Sequence, residues 1–156
     1  MSTVHTPEAS YLTLFEKREE LHRILASKQF TNSPKKSRFL EFVSEQTFLG
    51  NGDKLNEYLI GVEVYERGVD FNPQRDPIVR VQAYEIRRLL KKYYEEDGKS
   101  SPIRMDLPSG HYVPVFARQA DFETPAEEVP GLSSPQDERV NARLPWVVAA
   151  ILAARR

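Results

Sequence analysis

The chain has 156 residues, 40% of them hydrophobic and 10% aromatic, which is enough apolar material for one packed domain with tails and too much for a wholly disordered chain. It has no cysteine, so a disulfide framework and a thiolate metal site are excluded, in keeping with a reducing cytoplasm. The net charge of −1 is unevenly spread: residues 75–118 hold nine Lys/Arg against six Asp/Glu, and residues 119–142 hold one against six, so an acidic stretch masks a mildly basic one.

Residues 1–10 read as a flexible leader; with acidic Glu8 and no apolar run they lack the marks of a signal peptide. The domain is expected over residues 11–118. A first helix is predicted over residues 11–27, where Leu14, Leu21, Ile24 and Leu25 recur near the 3.6 period. A second starts at Ser33-Pro34, serine as N-cap and proline at the first helical position, with Phe39, Leu40, Val43 and Thr47 on one face. Gly50-Asn51-Gly52 stops it. A third is predicted from Asp53 to about Glu66, with Leu55, Leu59, Val62 and Tyr65 on one face and Gly61 marking a turn or a close helix contact. Residues 67–75 read as a loop.

Asp76-Pro77 opens the strongest element, a fourth helix over residues 77–95. Gly98 and Ser100-Ser101-Pro102 end it. Residues 103–107 alternate as a half-buried strand does, Pro108-Ser109-Gly110 turns the chain, and residues 111–116 return, with Pro114 pointing to an edge strand. Residues 119–142 read as an acidic disordered linker. Residues 143–156 form an apolar C-terminal segment whose run, 144–154, is 11 residues long, against about 20 needed to span a bilayer. Two readings stay open for it: a sticky tail, or a truncated membrane anchor through 144–154.

This order is that of a winged helix-turn-helix: mainly α with a C-terminal β-hairpin, the last helix (77–95) as recognition helix and the hairpin (103–116) as wing. A DNA-reading helix buries one face and offers another to the major groove. At 100° per residue Val79, Ala83, Ile86 and Leu90 form a core face, and Arg80, Tyr84, Arg87 and Lys91 form a second stripe, with Arg88 and Lys92 on the flank. Arg and Lys suit phosphates and guanine edges, and a tyrosine hydroxyl can donate to a phosphate. Arg104, facing outward, and His111, at the hairpin tip, would make a wing contact.

The segment Val79-Arg80-Val81-Gln82-Ala83-Tyr84-Glu85-Ile86-Arg87-Arg88-Leu89-Leu90 resembles the pattern V-D-V-H-I-x-R-L-R-x-x-L of the OmpR/PhoB-type winged-helix effector domains of bacterial response regulators and of ToxR/CadC-like membrane-tethered activators. The residues from Asp106 through Pro114 resemble the family's wing, T-V-x-G-x-G-Y-x-F, and the likeness covers residues 55–116. It implies a DNA-binding transcriptional regulator, with Gln82, Tyr84 and Arg87 at positions that contact DNA, and a homodimer on tandem half-sites as a candidate assembly. Glu85 departs from the pattern, standing where the family has a cation that grips DNA; a carboxylate there can accept from a cytosine amine but repels phosphates. The wing lacks the second glycine and is one residue shorter. The chain is also similar to amino-terminal domains of membrane-anchored signalling proteins, which implies a cytoplasmic head tethered to the inner membrane through its C-terminus.

Catalysis is not expected. His5, His22 and His111 have no metal-ligand spacing, no H-E-x-x-H, G-x-S-x-G or Walker loop is present, and Glu63, Asp70 and Asp76 read as solvated loop residues rather than a metal cluster. Neither a cofactor nor a small-molecule substrate is expected. The rival to double-stranded DNA as partner is a protein, because winged helices also serve as protein-interaction modules; Glu85 and the low net charge favour that rival.

Overall fold

A computed structural model describes residues 11–123; the leader, most of the acidic linker (residues 124–142) and the apolar segment 143–156 lie outside the described residues. Helix α1 (Leu14–Ala26) begins at Thr13, whose hydroxyl accepts from the Glu16 N–H at 3.2 Å while the Glu16 carboxylate accepts from the Thr13 N–H at 2.8 Å. This reciprocal box satisfies two orphan donors at the helix start. Leu21 and Ile24 face the core, but Leu14, expected with them, is half exposed because it lies in the first turn, beyond the edge of the packed layer. Ser27 turns extended, and its hydroxyl donates to the Ile24 carbonyl at 2.6 Å. A one-turn helix α2 (Lys28–Thr31), not foreseen in the sequence, then buries Phe30.

Helix α3 (Pro34–Phe48) starts on proline as expected, yet the Ser33 side chain makes no capping bond; the Ser37 hydroxyl instead reaches back to the Phe30 carbonyl at 2.9 Å. Gly50 ends the connection with φ +80°, which glycine adopts at no steric cost. The third expected helix is much shorter than predicted. Residues Gly52–Lys54 form a single 3₁₀ turn, and α4 spans only Glu57–Glu63. The break falls at Asn56, whose side chain accepts from the Leu59 N–H at 2.9 Å and restarts the helix. Gly61 is a close approach: a Cβ there would meet the Phe71 ring at 2.2 Å.

The loop after α4 is held by the Arg67–Asp76 ion pair at 3.1 Å. The Asp76 carboxylate also accepts from the Ile78 N–H at 3.0 Å, opening α5 (Ile78–Glu95). Val79, Ala83, Ile86, Leu90, Tyr93 and Tyr94 are its buried side. Strands β1 (Ile103–Asp106) and β2 (Val115–Arg118) pair antiparallel, with Ile103 opposite Arg118 and Asp106 opposite Val115. The return strand therefore starts at Val115 and not at His111. Residues 107–114 form the connecting loop; Gly110 has φ +89°, and Pro114 is buried rather than on an exposed edge. A short helix α6 (Gln119–Glu123) takes the first residues assigned to the linker.

One core joins these elements. Ile24, Phe30, Phe39, Leu40, Ile60, Ile86, Met105 and Leu107 are fully buried, and each large apolar side chain so placed contributes about 1.5–3 kcal/mol. A buried carboxylate crosses it. Glu20 of α1 accepts from the Tyr94 hydroxyl at 2.9 Å, from the Ser101 hydroxyl at 2.6 Å and from both Nε and Nη2 of Arg23 at 3.0 and 2.7 Å. The Tyr94 oxygen in turn accepts from the Met105 N–H of β1 at 2.6 Å. Burial, with Glu20 alongside, pushes the Tyr94 phenol well above its usual range, so it stays protonated and keeps donating. The chain of bonds fastens the hairpin to α1 and α5. The structure is thus mainly helical with a two-stranded antiparallel hairpin. Among the described residues no helix is long and apolar enough to cross a membrane.

Candidate nucleic-acid interface

Helix α5, strand β1 and the hairpin loop hold the eight residues singled out from the sequence, and the structure distributes them unequally. Opposite the buried side, the outermost line of α5 is Val81, Tyr84 and Arg88. Val81 is 50% exposed, Tyr84 60%, and the Arg88 side chain 65%. Arg88, expected on a flank, thus stands at the centre of the outward face. Lys91 stands beside it, well exposed, with its ammonium 4.0 Å from Glu95.

Arg80 and Arg87 do not form the free cationic ridge expected with Tyr84 and Lys91. Both lie toward α4 and the hairpin loop and are engaged within the domain. Arg80 donates from Nη1 to the Glu57 carboxylate at 2.8 Å and to the Pro73 carbonyl at 3.1 Å. Arg87 donates from Nε to the Leu107 carbonyl at 2.7 Å and from Nη2 to the Pro108 and His111 carbonyls at 3.0 and 3.3 Å. Carbonyls of an irregular loop have no ladder partners, and a planar fork of donors satisfies several at once. The guanidinium thereby ties the hairpin loop to the flank of α5.

Gln82, two residues past Arg80, lies about 160° from it around the axis. It is half-buried, on the side that approaches the core. It cannot share one groove-facing surface with Arg80 or Arg87. Arg104, expected to face outward, is half-buried instead. It lies in β1, and its guanidinium stacks 5.2 Å from the Tyr94 ring centre and 5.3 Å from that of Phe122. The α6 helix, which no periodicity in the sequence announces, supplies the second ring, and cation–π attraction draws the side chain inward. His111 does sit exposed in the loop.

No protein-family model, curated protein or solved structure matches the chain. The chemistry of the surface is therefore the ground for its function.

Three participants were not legible as such. Glu57 holds Arg80 and also lies beside the Tyr112 hydroxyl, which burial first and Glu57 second push up to about 12. Val81 is an aliphatic side chain at the outermost position, and its place on the wheel opposite Ala83 and Leu90 was the available signal. Glu85, which in the sequence stands out as a departure from the family pattern and as a residue favouring a protein partner, accepts from Arg88 Nη1 at 3.2 and 3.3 Å. Their i,i+3 spacing permits that pair. Among the described residues no three metal-ligating side chains come together; Asp76 is engaged as a helix cap and an ion-pair partner.

Proposed function

We propose that α5 and the loop 107–114 form a surface that binds double-stranded DNA, and that the domain acts as a transcriptional regulator of winged-helix type. The observation that carries the reading is the Arg87 bridge. It holds a loop with an exposed histidine beside an 18-residue helix whose outer face offers Tyr84, Arg88 and Lys91. A helix of that length fits the major groove, and an adjoining loop reaches the neighbouring backbone or minor groove. The resemblance of residues 55–116 to the OmpR/PhoB-type domains supports the same reading, as does the local excess of cations. A homodimer on tandem half-sites and a cytoplasmic site of action follow from the resemblance. Tethering through residues 144–154 is the further expectation, and carbonate extraction of the expressed chain tests it: a fully extractable chain refutes the anchor.

The test is a gel shift of the full chain on a duplex pool at 50 and 200 mM salt. Binding that weakens with salt, and weakens further in Arg88→Ala and Lys91→Ala, supports the reading. Affinities unchanged in both variants overturn it. A second reading, a protein-docking face, is favoured by the charge balance along α5, where Glu85 and Glu95 stand beside Arg88 and Lys91. No duplex binding at either salt concentration would favour it.

A further inference from the structure

We infer that sequence is read at this surface by the Glu85–Arg88 pair, which selects a cytosine–guanine base pair, and not by Arg80, Gln82 or Arg87. The inference rests on the DNA-binding reading above. It follows from which polar groups of α5 are free to face outward. The Arg80 guanidinium is held by Glu57 and the Pro73 carbonyl. That of Arg87 is held by three loop carbonyls. Gln82 points to the half-buried flank. Tyr84, Arg88, Lys91 and Lys92 remain exposed; of these only Arg88 carries a planar fork that matches two acceptors of one base, and its partner Glu85 is bound through Nη1 alone, at 3.2 and 3.3 Å, the long end of hydrogen-bond range.

A guanidinium and a carboxylate side by side complement one base pair in the major groove. Guanine presents two acceptors, O6 and N7, which suit the arginine fork; cytosine presents the N4 amine, which suits a carboxylate. At the same position a thymine would set its O4 acceptor against the Glu85 oxygens, and an adenine would set its N6 amine against Arg88. Like polarity meets like in both cases. The pair carries no net charge, so it adds little to phosphate attraction, and the carboxylate is repelled by the backbone unless an amine faces it. Affinity for arbitrary DNA is thus held down while discrimination is kept. Val81 and Tyr84, beside the pair on the same outward line, supply apolar surface for neighbouring bases.

The experiment is enrichment of bound duplexes from a random pool by the full-length chain and by Glu85→Gln, Glu85→Ala and Arg88→Ala. Affinities are then measured on the wild-type motif and on the motif with one C·G pair changed to T·A. The wild type is expected to require a C·G pair at one position and to lose roughly ten- to a hundredfold in affinity on the changed duplex. Glu85→Gln is expected to relax or switch that one position, since an amide suits an adenine edge, and to keep the rest. The Arg88 side chain is 65% exposed and that of Glu85 35%, so neither is a core residue, and unchanged thermal melts will show intact folding. If all three variants enrich the wild-type motif with undiminished discrimination, the inference is overturned. Wild-type binding without any enriched motif overturns it too but leaves the DNA-binding reading standing. Absence of duplex binding at low salt sinks both.

Discussion

Single side chains decide how this domain is held. Tyr94 spends its one hydroxyl twice, donating to Glu20 and accepting from the Met105 N–H. Tyr94→Phe leaves a buried carboxylate oxygen and a strand N–H unpartnered, so it is expected to cost about 1–3 kcal/mol, read as a lower urea midpoint. An unchanged midpoint would mean that water replaces the hydroxyl. Glu16 gives the pH dependence at this scale. The Thr13 N–H and hydroxyl that its carboxylate accepts from, with Arg118 adding, hold its pKa below the usual carboxylate value. A depressed folded pKa contributes stability that is present above the unfolded value and is lost as pH falls through the folded one. Glu16→Gln should therefore flatten the acid limb of the stability curve, below about pH 4.5, relative to wild type. Superimposable acid limbs would count against the cap. Arg87→Lys should fail to replace Arg87, because the donors of an ammonium radiate from one nitrogen, whereas the three carbonyls are met from two separate nitrogens of a planar guanidinium. Faster amide exchange across residues 107–112 in that variant, with β1 still protected, is the expected result.

Among the elements, the Gly61–Phe71 contact reverses an ordinary rule. Gly→Ala inside a helix normally gains about 1 kcal/mol. Here the added methyl would meet the Phe71 ring at 2.2 Å, so Gly61→Ala should destabilise by about 1–3 kcal/mol. The double variant Gly61→Ala, Phe71→Ala should be little worse than Phe71→Ala alone, and additive costs would refute the clash. The same contact shows what the sequence could and could not reveal. Periodicity marked α1, α3 and α5 because each buries a regular apolar stripe. In the sequence Gly61 marks a turn or a close contact, and the latter is what stands there. Residues 53–66 looked like one long helix because Leu55, Leu59 and Val62 keep the helical period. Asn56 cuts that pattern by capping with its own side chain, a local bond that periodicity does not register. Alternation runs on through His111 and Val113, so the sequence places the return strand four residues early, while the chain there is a loop tied down by Arg87. That tie is invisible in a sequence: a basic residue on a helix looks the same whether it faces a groove or a carbonyl 21 residues away.

For the whole molecule, the distribution of charge matters more than its sum. If two or three cations, centred on Lys91 and the exposed Lys92, meet phosphates while Arg88 is given to a base, the slope of log affinity against log salt should be about −2 to −3, shallow for a duplex binder. A slope steeper than about −7 would mean that other basic residues, such as Lys35 and Lys36 at the start of α3, also grip the backbone. A slope near zero would mean that the bound duplex is held without phosphate contacts, against the cationic face of α5.

Glu20 has a further consequence for where the domain can be cut. The region that resembles known effector domains starts at residue 55, yet the acceptor for Tyr94 and Ser101 lies in the opening helix, 74 and 81 positions upstream. A fragment trimmed to the resembling stretch would strand a phenol and a serine inside apolar surroundings and strip Ile86 and Met105 of their cover. The smallest piece able to stand alone therefore begins at the Thr13 cap, and shorter clones should come out of expression as aggregates, whatever the last helix does.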